Sequence, residues 1–392
     1  MDAADPSALP GPAAPSTAAP PATAPCPAEP YPAAPYPAAP YPAAPYPAAP
    51  YPAEPYPAEP YPAEPYPAEP CPAEPCPAEP CPAEPSRAAP SAAEPSYASP
   101  AHAPPDHAAP SPASFSFTEY PAHADLPGWR EAGTGRPLLL LHGWSAPGQA
   151  FAGQAALAQR GYRVIAPDHA GHGLSVRWRP AAGGTIAGLA DGVAGLIDAL
   201  DLRDAIVVGW SMGAMVAWEL ARGRPRQWLE RRVAAIGAID MTPRLVTAPD
   251  WPHGLHGGYT AAQAWQMAAQ VRRHWHGMVP LVGAGLWADG TEPPAHEAAR
   301  VREWMACCDA GALAALWLDM ARQDYRQTLC EATVPLFCLY GERSRLYRPP
   351  LAAAMAALQP GLRVATIPAA GHSPHLERPQ DFNEALLRMI GG

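Results

Sequence analysis

The 392-residue chain contains no lysine; its 26 basic side chains are all arginine. Schiff-base catalysis on a lysine amine is therefore excluded. No run of about 18 apolar residues occurs, so no membrane-spanning helix is predicted. The N-terminus has no charged stretch leading into an apolar one, so no signal peptide is predicted. The eight cysteines fall into two sets, Cys26, Cys71, Cys76 and Cys81 in the first third, then Cys307, Cys308, Cys330 and Cys338. None has a metal-like spacing with histidine, and the adjacent pair Cys307–Cys308 makes a poor disulfide framework. Reduced thiols and a cytoplasmic location are the expectation. A clustered basic patch is also missing, so nucleic acid is not a predicted partner.

What the chain has in excess is proline, 58 residues, of which 38 precede position 115. From Cys26 to Pro85 a five-residue unit repeats as Cys-Pro-Ala-Glu-Pro, Tyr-Pro-Ala-Ala-Pro and Tyr-Pro-Ala-Glu-Pro. Proline at two of every five positions removes backbone donors and fixes φ, which opposes both helix and sheet. A period of five without a regular glycine also excludes collagen. Residues 1–114 are expected to be a disordered, extended Pro/Ala/Glu-rich tail with too few aliphatic side chains to bury a core. Its 12 acids and single arginine carry about −11, whereas residues 115–392 carry about +1. The acidity of the chain thus belongs to the tail. Each Pro-Ala-x-Pro unit matches a PxxP docking pattern, but nothing in the repeat identifies a partner.

From about residue 115 short apolar strands alternate with amphipathic helices, the pattern of a mostly parallel sheet with helices on both faces. Strands are predicted at Leu138–Leu141, Tyr162–Ala166, Ala205–Val208, Val233–Ile239, Pro335–Tyr340 and Leu362–Ile367. Helices are predicted at about 148–159, 185–200, 351–358 and 379–390. About 244–329 breaks the alternation with three predicted helices, near 261–275, 295–308 and 313–327, and many tryptophans. Helices inserted between two strands of such a sheet are expected to cap the strand ends, where open parallel sheets bind ligands.

The segment Gly209-Trp210-Ser211-Met212-Gly213 joins a predicted strand to a predicted helix. This spacing forces Ser211 onto a sharp elbow with its hydroxyl at the positive end of a helix. Three further motifs accompany it: Leu141-His142-Gly143-Trp144, Pro167-Asp168-His169-Ala170-Gly171-His172-Gly173-Leu174-Ser175, and Gly371-His372-Ser373-Pro374-His375-Leu376-Glu377. Together these four ordered motifs resemble the α/β-hydrolase superfamily, over essentially all of residues 115–392. The resemblance implies an α/β-hydrolase sheet with a helical cap insertion, a Ser211 nucleophile and a His372 base. It also implies an oxyanion hole from the backbone N–H groups of Met212 and Trp144. The Trp144 and Trp210 rings are expected to touch the substrate. His375 reads as a packing residue, and the Asp168–His172 loop as structural rather than a metal site.

The acid departs from the family pattern. Relatives place it in Gly-x-x-Asp after the penultimate strand, and here that stretch is Gly341-Glu342-Arg343-Ser344. Asp240, at the end of the strand before, keeps the order nucleophile, acid, base. Glu342, Asp319 and Asp324 remain as alternatives. The expected activity is hydrolysis of a small hydrophobic ester through a Ser211–His372–Asp240 triad and an acyl-enzyme, with no cofactor implied. A lactonase, thioesterase or cofactor-free perhydrolase would use the same groups. The Ser344 departure alone favours a non-catalytic binding protein on the same fold.

Overall fold

The computed structural model describes residues 116–391, apart from Ala124 and Ala182. The proline-rich tail expected over 1–114 lies outside the described residues. The described residues form an eight-stranded sheet. Its strands are β1 (Thr118–Tyr120), β2 (Trp129–Ala132), β3 (Arg136–Leu141), β4 (Tyr162–Pro167), β5 (Ala205–Trp210), β6 (Val233–Ile239), β7 (Leu336–Gly341) and β8 (Arg363–Ile367), in the spatial order β1-β2-β4-β3-β5-β6-β7-β8. β1 and β2 pair antiparallel, and every pair from β4 to β8 is parallel. The antiparallel strands were not foreseen, because three- and four-residue strands carry too little periodicity to be read.

The central strands are apolar throughout because helices cover both faces of the sheet. Leu138 to Leu141 and Ala205 to Val208 are fully buried, each such leucine contributing about 2 kcal/mol by burial. The parallel register sets Leu141 beside Gly209, Trp210 beside Ile239 and Gly341 beside Ile367. Every connection that follows these strands therefore leaves from one edge of the sheet. That register is what brings residues near 142, 211, 240, 342 and 372 into one neighbourhood.

The helices are α1 (Ile186–Ala199), α2 (Met212–Gly223), α3 (Arg226–Arg232), α4 (Ala261–Ala284), α5 (Ala295–Ala306), α6 (Ala310–Arg322), α7 (Arg326–Cys330), α8 (Pro350–Leu358), α9 (Pro374–Glu377) and α10 (Pro379–Ile390). Gly148–Arg160 is a tighter 3₁₀ stretch with a kink at Phe151. Starts are marked by caps: Thr185 accepts the Gly188 N–H, Thr260 and Gln263 form a reciprocal capping box, and Asp309 accepts the Ala312 N–H. Between β6 and β7 lie α4 to α7, where a helical insertion was expected. α4 continues nine residues beyond the predicted end, through Pro280. Its backbone leaves helical angles at His274 (φ −138°, ψ 29°), so it is two helical stretches joined at a kink. Among the described residues no single helix is long and apolar enough to cross a membrane.

Candidate active site

β5 runs straight into α2 through the elbow. A β-carbon on Gly209 would lie 2.0 Å from the Gly213 carbonyl oxygen, and one on Gly213 would lie 2.1 Å from that of Leu141. Only glycine permits so close an approach. Ser211 is held at φ 53°, ψ −119°, outside the usual regions for an L-residue. Such a conformation costs on the order of 1–3 kcal/mol and survives because neighbouring bonds enforce it. Here the Ser211 N–H donates to Ile239 O at 3.0 Å, and the Ser211 carbonyl accepts from Ala214 at 2.9 Å. The residue stays partly exposed at the N-terminus of α2.

His372 lies in the loop after β8 and is 2% exposed. Its Nδ1 meets Asp240 Oδ2 at 2.7 Å, within the range of a charge-assisted bond. Asp240 follows β6 directly, with φ 46° and its N–H bonded to Leu339 O at 2.9 Å. Its carboxylate is buried and receives two further donors. The Gly341 N–H reaches Oδ1 at 3.1 Å, and the Ser344 hydroxyl reaches Oδ2 at 2.6 Å. The Ser344 oxygen itself accepts the N–H groups of Leu346 and Tyr347, both at 3.3 Å.

The other candidate acids are engaged elsewhere. Glu342 accepts the Ala369 N–H on the surface, Asp319 accepts the Ile186 N–H at the start of α1, and Asp324 binds the Arg326 guanidinium. Tyr340 and Tyr347 flank Asp240 with their hydroxyls turned to Met241, onto its carbonyl oxygen and its Sδ respectively. Burial raises both phenols well above their ordinary range; the Asp240 charge adds to this, after that of Cys338 in the case of Tyr340.

Trp210 was expected beside the substrate. It is 1% exposed, and its indole N–H donates to the His372 carbonyl at 2.8 Å. Its ring lies edge-on to His375, 4.6 Å between centroids, so it packs behind the histidine loop. His375 sits among Trp210, Phe151 and Phe382 with neither ring nitrogen bonded. Burial pushes its pKa well below the usual value, which keeps it neutral. Glu377, the last residue of the histidine motif and given no role from the sequence, accepts the N–H groups of Gly371 and Ala288, both at 2.8 Å. It ties the histidine loop to the segment after α4.

The loop after β3 closes the other side. A β-carbon on Gly143 would lie 3.2 Å from Ser211 Cβ, so this loop passes directly against the elbow. The adjacent Trp144 has its indole N–H on Leu313 O of α6 at 2.9 Å. Its ring packs on Trp317 at 4.9 Å and Trp275 at 5.2 Å, both from the inserted helices. Met212 is fully buried in the first turn of α2.

The Asp168–His172 loop is tied up in internal bonds. Asp168 accepts Leu174 N–H and an Arg130 N–H, each at 2.7 Å, and the Gly148 N–H. His142 bonds the Gly143 carbonyl through Nδ1 and accepts the His169 N–H at Nε2. His172 bonds the Ala170 carbonyl through Nδ1 and accepts the Ser145 N–H at Nε2. An acceptor at Nε2 requires the neutral ring, and burial lowers both pKa values to about 3. Among the described residues no group of three or more His, Cys, Asp or Glu is arranged to hold a metal.

The sequence pattern of the alpha/beta hydrolase family matches residues 138–385. The pimeloyl-(acyl-carrier protein) methyl ester esterase of Aromatoleum aromaticum is 33% identical over 266 residues, spanning 65% of this chain and 98% of that protein. A protein of the same name from Aeromonas hydrophila is 27% identical over 266 residues, spanning 66% and 97%. A thermophilic esterase from Thermogutta terrifontis superposes with a TM-score of 0.58 at 26% identity, covering 70% of this chain and 98% of that one. A bromoperoxidase from Bacillus anthracis gives 0.61 at 23% identity, covering 68% and 95%, a likeness of fold alone. With a buried Asp–His pair beside a glycine-flanked serine elbow on a parallel sheet, and this family's pattern running over its strands and helices, the chain belongs to the alpha/beta hydrolase family.

Proposed function

We propose that Ser211, His372 and Asp240 act as nucleophile, base and acid in a serine esterase. The chain is an alpha/beta hydrolase acting on ester bonds, and the 2.7 Å contact between His372 Nδ1 and Asp240 Oδ2 is the observation that carries the triad. Asp240 holds the imidazole with its proton on Nδ1, leaving Nε2 to take the Ser211 proton. The Ser211 oxygen then attacks the ester carbonyl, and the Met212 and Trp144 N–H groups receive the negative charge that develops on its oxygen. His372 returns the proton to the departing alcohol. A water molecule, deprotonated by the same imidazole, releases the acid and restores Ser211.

The curated relatives are named for a methyl ester of a carried pimeloyl chain. An ester of a small alcohol with an apolar acyl chain is the substrate class assigned to this chain, supported by the tryptophans of the inserted helices around Trp144. Lactones and acyl thioesters would pass through the same acyl-enzyme, and a panel of p-nitrophenyl esters, lactones and thioesters ranks them by kcat/KM. The direct test is a fluorophosphonate probe, which reacts only with an activated serine. It is expected to label the wild-type chain and not Ser211→Ala. A wild-type chain that stays unlabelled would instead be a binding protein on this fold.

A further inference from the structure

We infer that Ser344 is a positioning residue for Asp240, its hydroxyl aiming the carboxylate that orients His372; this rests on the triad reading. A serine hydroxyl has one proton to donate and two lone pairs. Both lone pairs are engaged by the Leu346 and Tyr347 N–H groups. The proton is left for Asp240 Oδ2, at 2.6 Å, the distance of a hydroxyl donating to an ionised oxygen. The rotor thus has one arrangement, and it points at the oxygen that holds His372 Nδ1.

Asp240 is in turn bound from separate parts of the chain: Gly341 N–H on Oδ1, Ser344 and His372 on Oδ2. Tyr340 and Tyr347, the neighbouring hydroxyls, are spent on Met241. Ser344 is therefore the one hydroxyl bonded to this carboxylate among the described residues. Its position explains the irregularity in Gly341-Glu342-Arg343-Ser344. With the acid supplied after β6, a carboxylate at 344 would set two like charges against one imidazole, which disfavours ionising both. A serine there donates a hydrogen bond to Asp240 instead and adds no charge. A serine kept only to turn the loop would need the bonds to Leu346 and Tyr347 and not the third.

The test is a double-mutant cycle on the full chain with p-nitrophenyl butyrate. Ser344→Ala is expected to lower kcat about tenfold with KM unchanged, as for a group that acts in the transition state. Ser344→Thr keeps the hydroxyl and is expected to recover most of that loss. In an Asp240→Asn background, Ser344→Ala is expected to change kcat by less than about twofold, because coupled residues are not additive. Thermal melts check folding. If Ser344→Ala does not fold, Ser344→Thr and Ser344→Cys carry the comparison, the thiol being of similar size and a weak donor, with kcat lost in the cysteine variant alone. Equal losses in both Asp240 backgrounds, or none in either, overturn the proposal. Should Asp240→Asn itself turn over at the wild-type rate, the triad reading falls; a crippled Asp240→Asn beside an unaffected Ser344→Ala removes only the role of Ser344.

Discussion

The loops at the carboxyl edge of the sheet and the helices inserted between β6 and β7 surround the same space by different means. In the loops, backbone sets the distances. Ser145, Ser211, Asp240 and Ala369 all have positive φ there, and a β-carbon on Gly341 would lie 1.9 Å from the Gly371 carbonyl oxygen. In the inserted helices, side chains set the distances, with Trp275 and Trp317 packed on Trp144 and one indole bond to Leu313. Backbone contacts of this kind admit no substitution without moving the chain. Side-chain packing tolerates exchange of similar shapes. The edge is thus held by backbone contacts, and the inserted helices by side-chain shapes that can be exchanged.

The largest effect should come from the edge itself. Asp240→Asn is expected to lower kcat by about three to four orders of magnitude, because the wrong imidazole tautomer is then held. Glu342→Gln should stay within about twofold, since Glu342 bonds only the Ala369 amide. Steady-state kinetics on one ester separates them, and comparable losses in both variants would remove the distinction between the two acids.

Acid should act next, through the buried rings of the same edge. Unfolded histidines bind protons near pH 6.5, whereas His142 and His172 in the folded chain do so only at about 3. Between those values the unfolded chain carries more protons, so stability falls as pH drops. The slope is about 1.4 kcal/mol per pH unit for each ring. From pH 7 to pH 5 the pair should cost on the order of 4 kcal/mol, read from urea unfolding midpoints. A flat profile over that interval would mean these rings are not buried neutral.

Gly341→Ala should cost about 3 kcal/mol, from overpacking against backbone that cannot yield. A thermal melt within a degree of wild type would show the edge to be more pliant than its contacts imply. The smallest effect belongs to the contact between the loop after β3 and the inserted helices. Trp144→Phe keeps a ring against Trp317 and loses the N–H on Leu313 O, a change worth about 1 kcal/mol in chemical denaturation. A loss as large as that of Gly341→Ala would place the helices under the same constraint as the loops.

Much of this edge was legible. Gly209 to Gly213 announced its elbow because the glycines have no alternative at 2.0 and 2.1 Å from neighbouring backbone. Gly371-His372 stood out through its motif and Asp240 through its place at a strand end, and their side chains meet at 2.7 Å. Ser344 read only as a missing carboxylate, since a serine in a loop carries no periodic signal and its bond to Asp240 spans 104 residues. The Trp210 indole N–H bonds the His372 carbonyl, a contact over 162 residues that the elbow motif does not carry. Glu377 gave no sign of its role because its partners, Gly371 and Ala288, are backbone amides.

The central strands, the serine elbow and the helical character of the insertion were set by local pattern, because the spacing of apolar residues and glycines acts over a few positions. Which carboxylate meets the imidazole, where the Trp210 ring turns and what Ser344 does were decided by the parallel register. It lays strand ends far apart in sequence side by side at one edge, and contacts of that range leave no trace in any short stretch of chain.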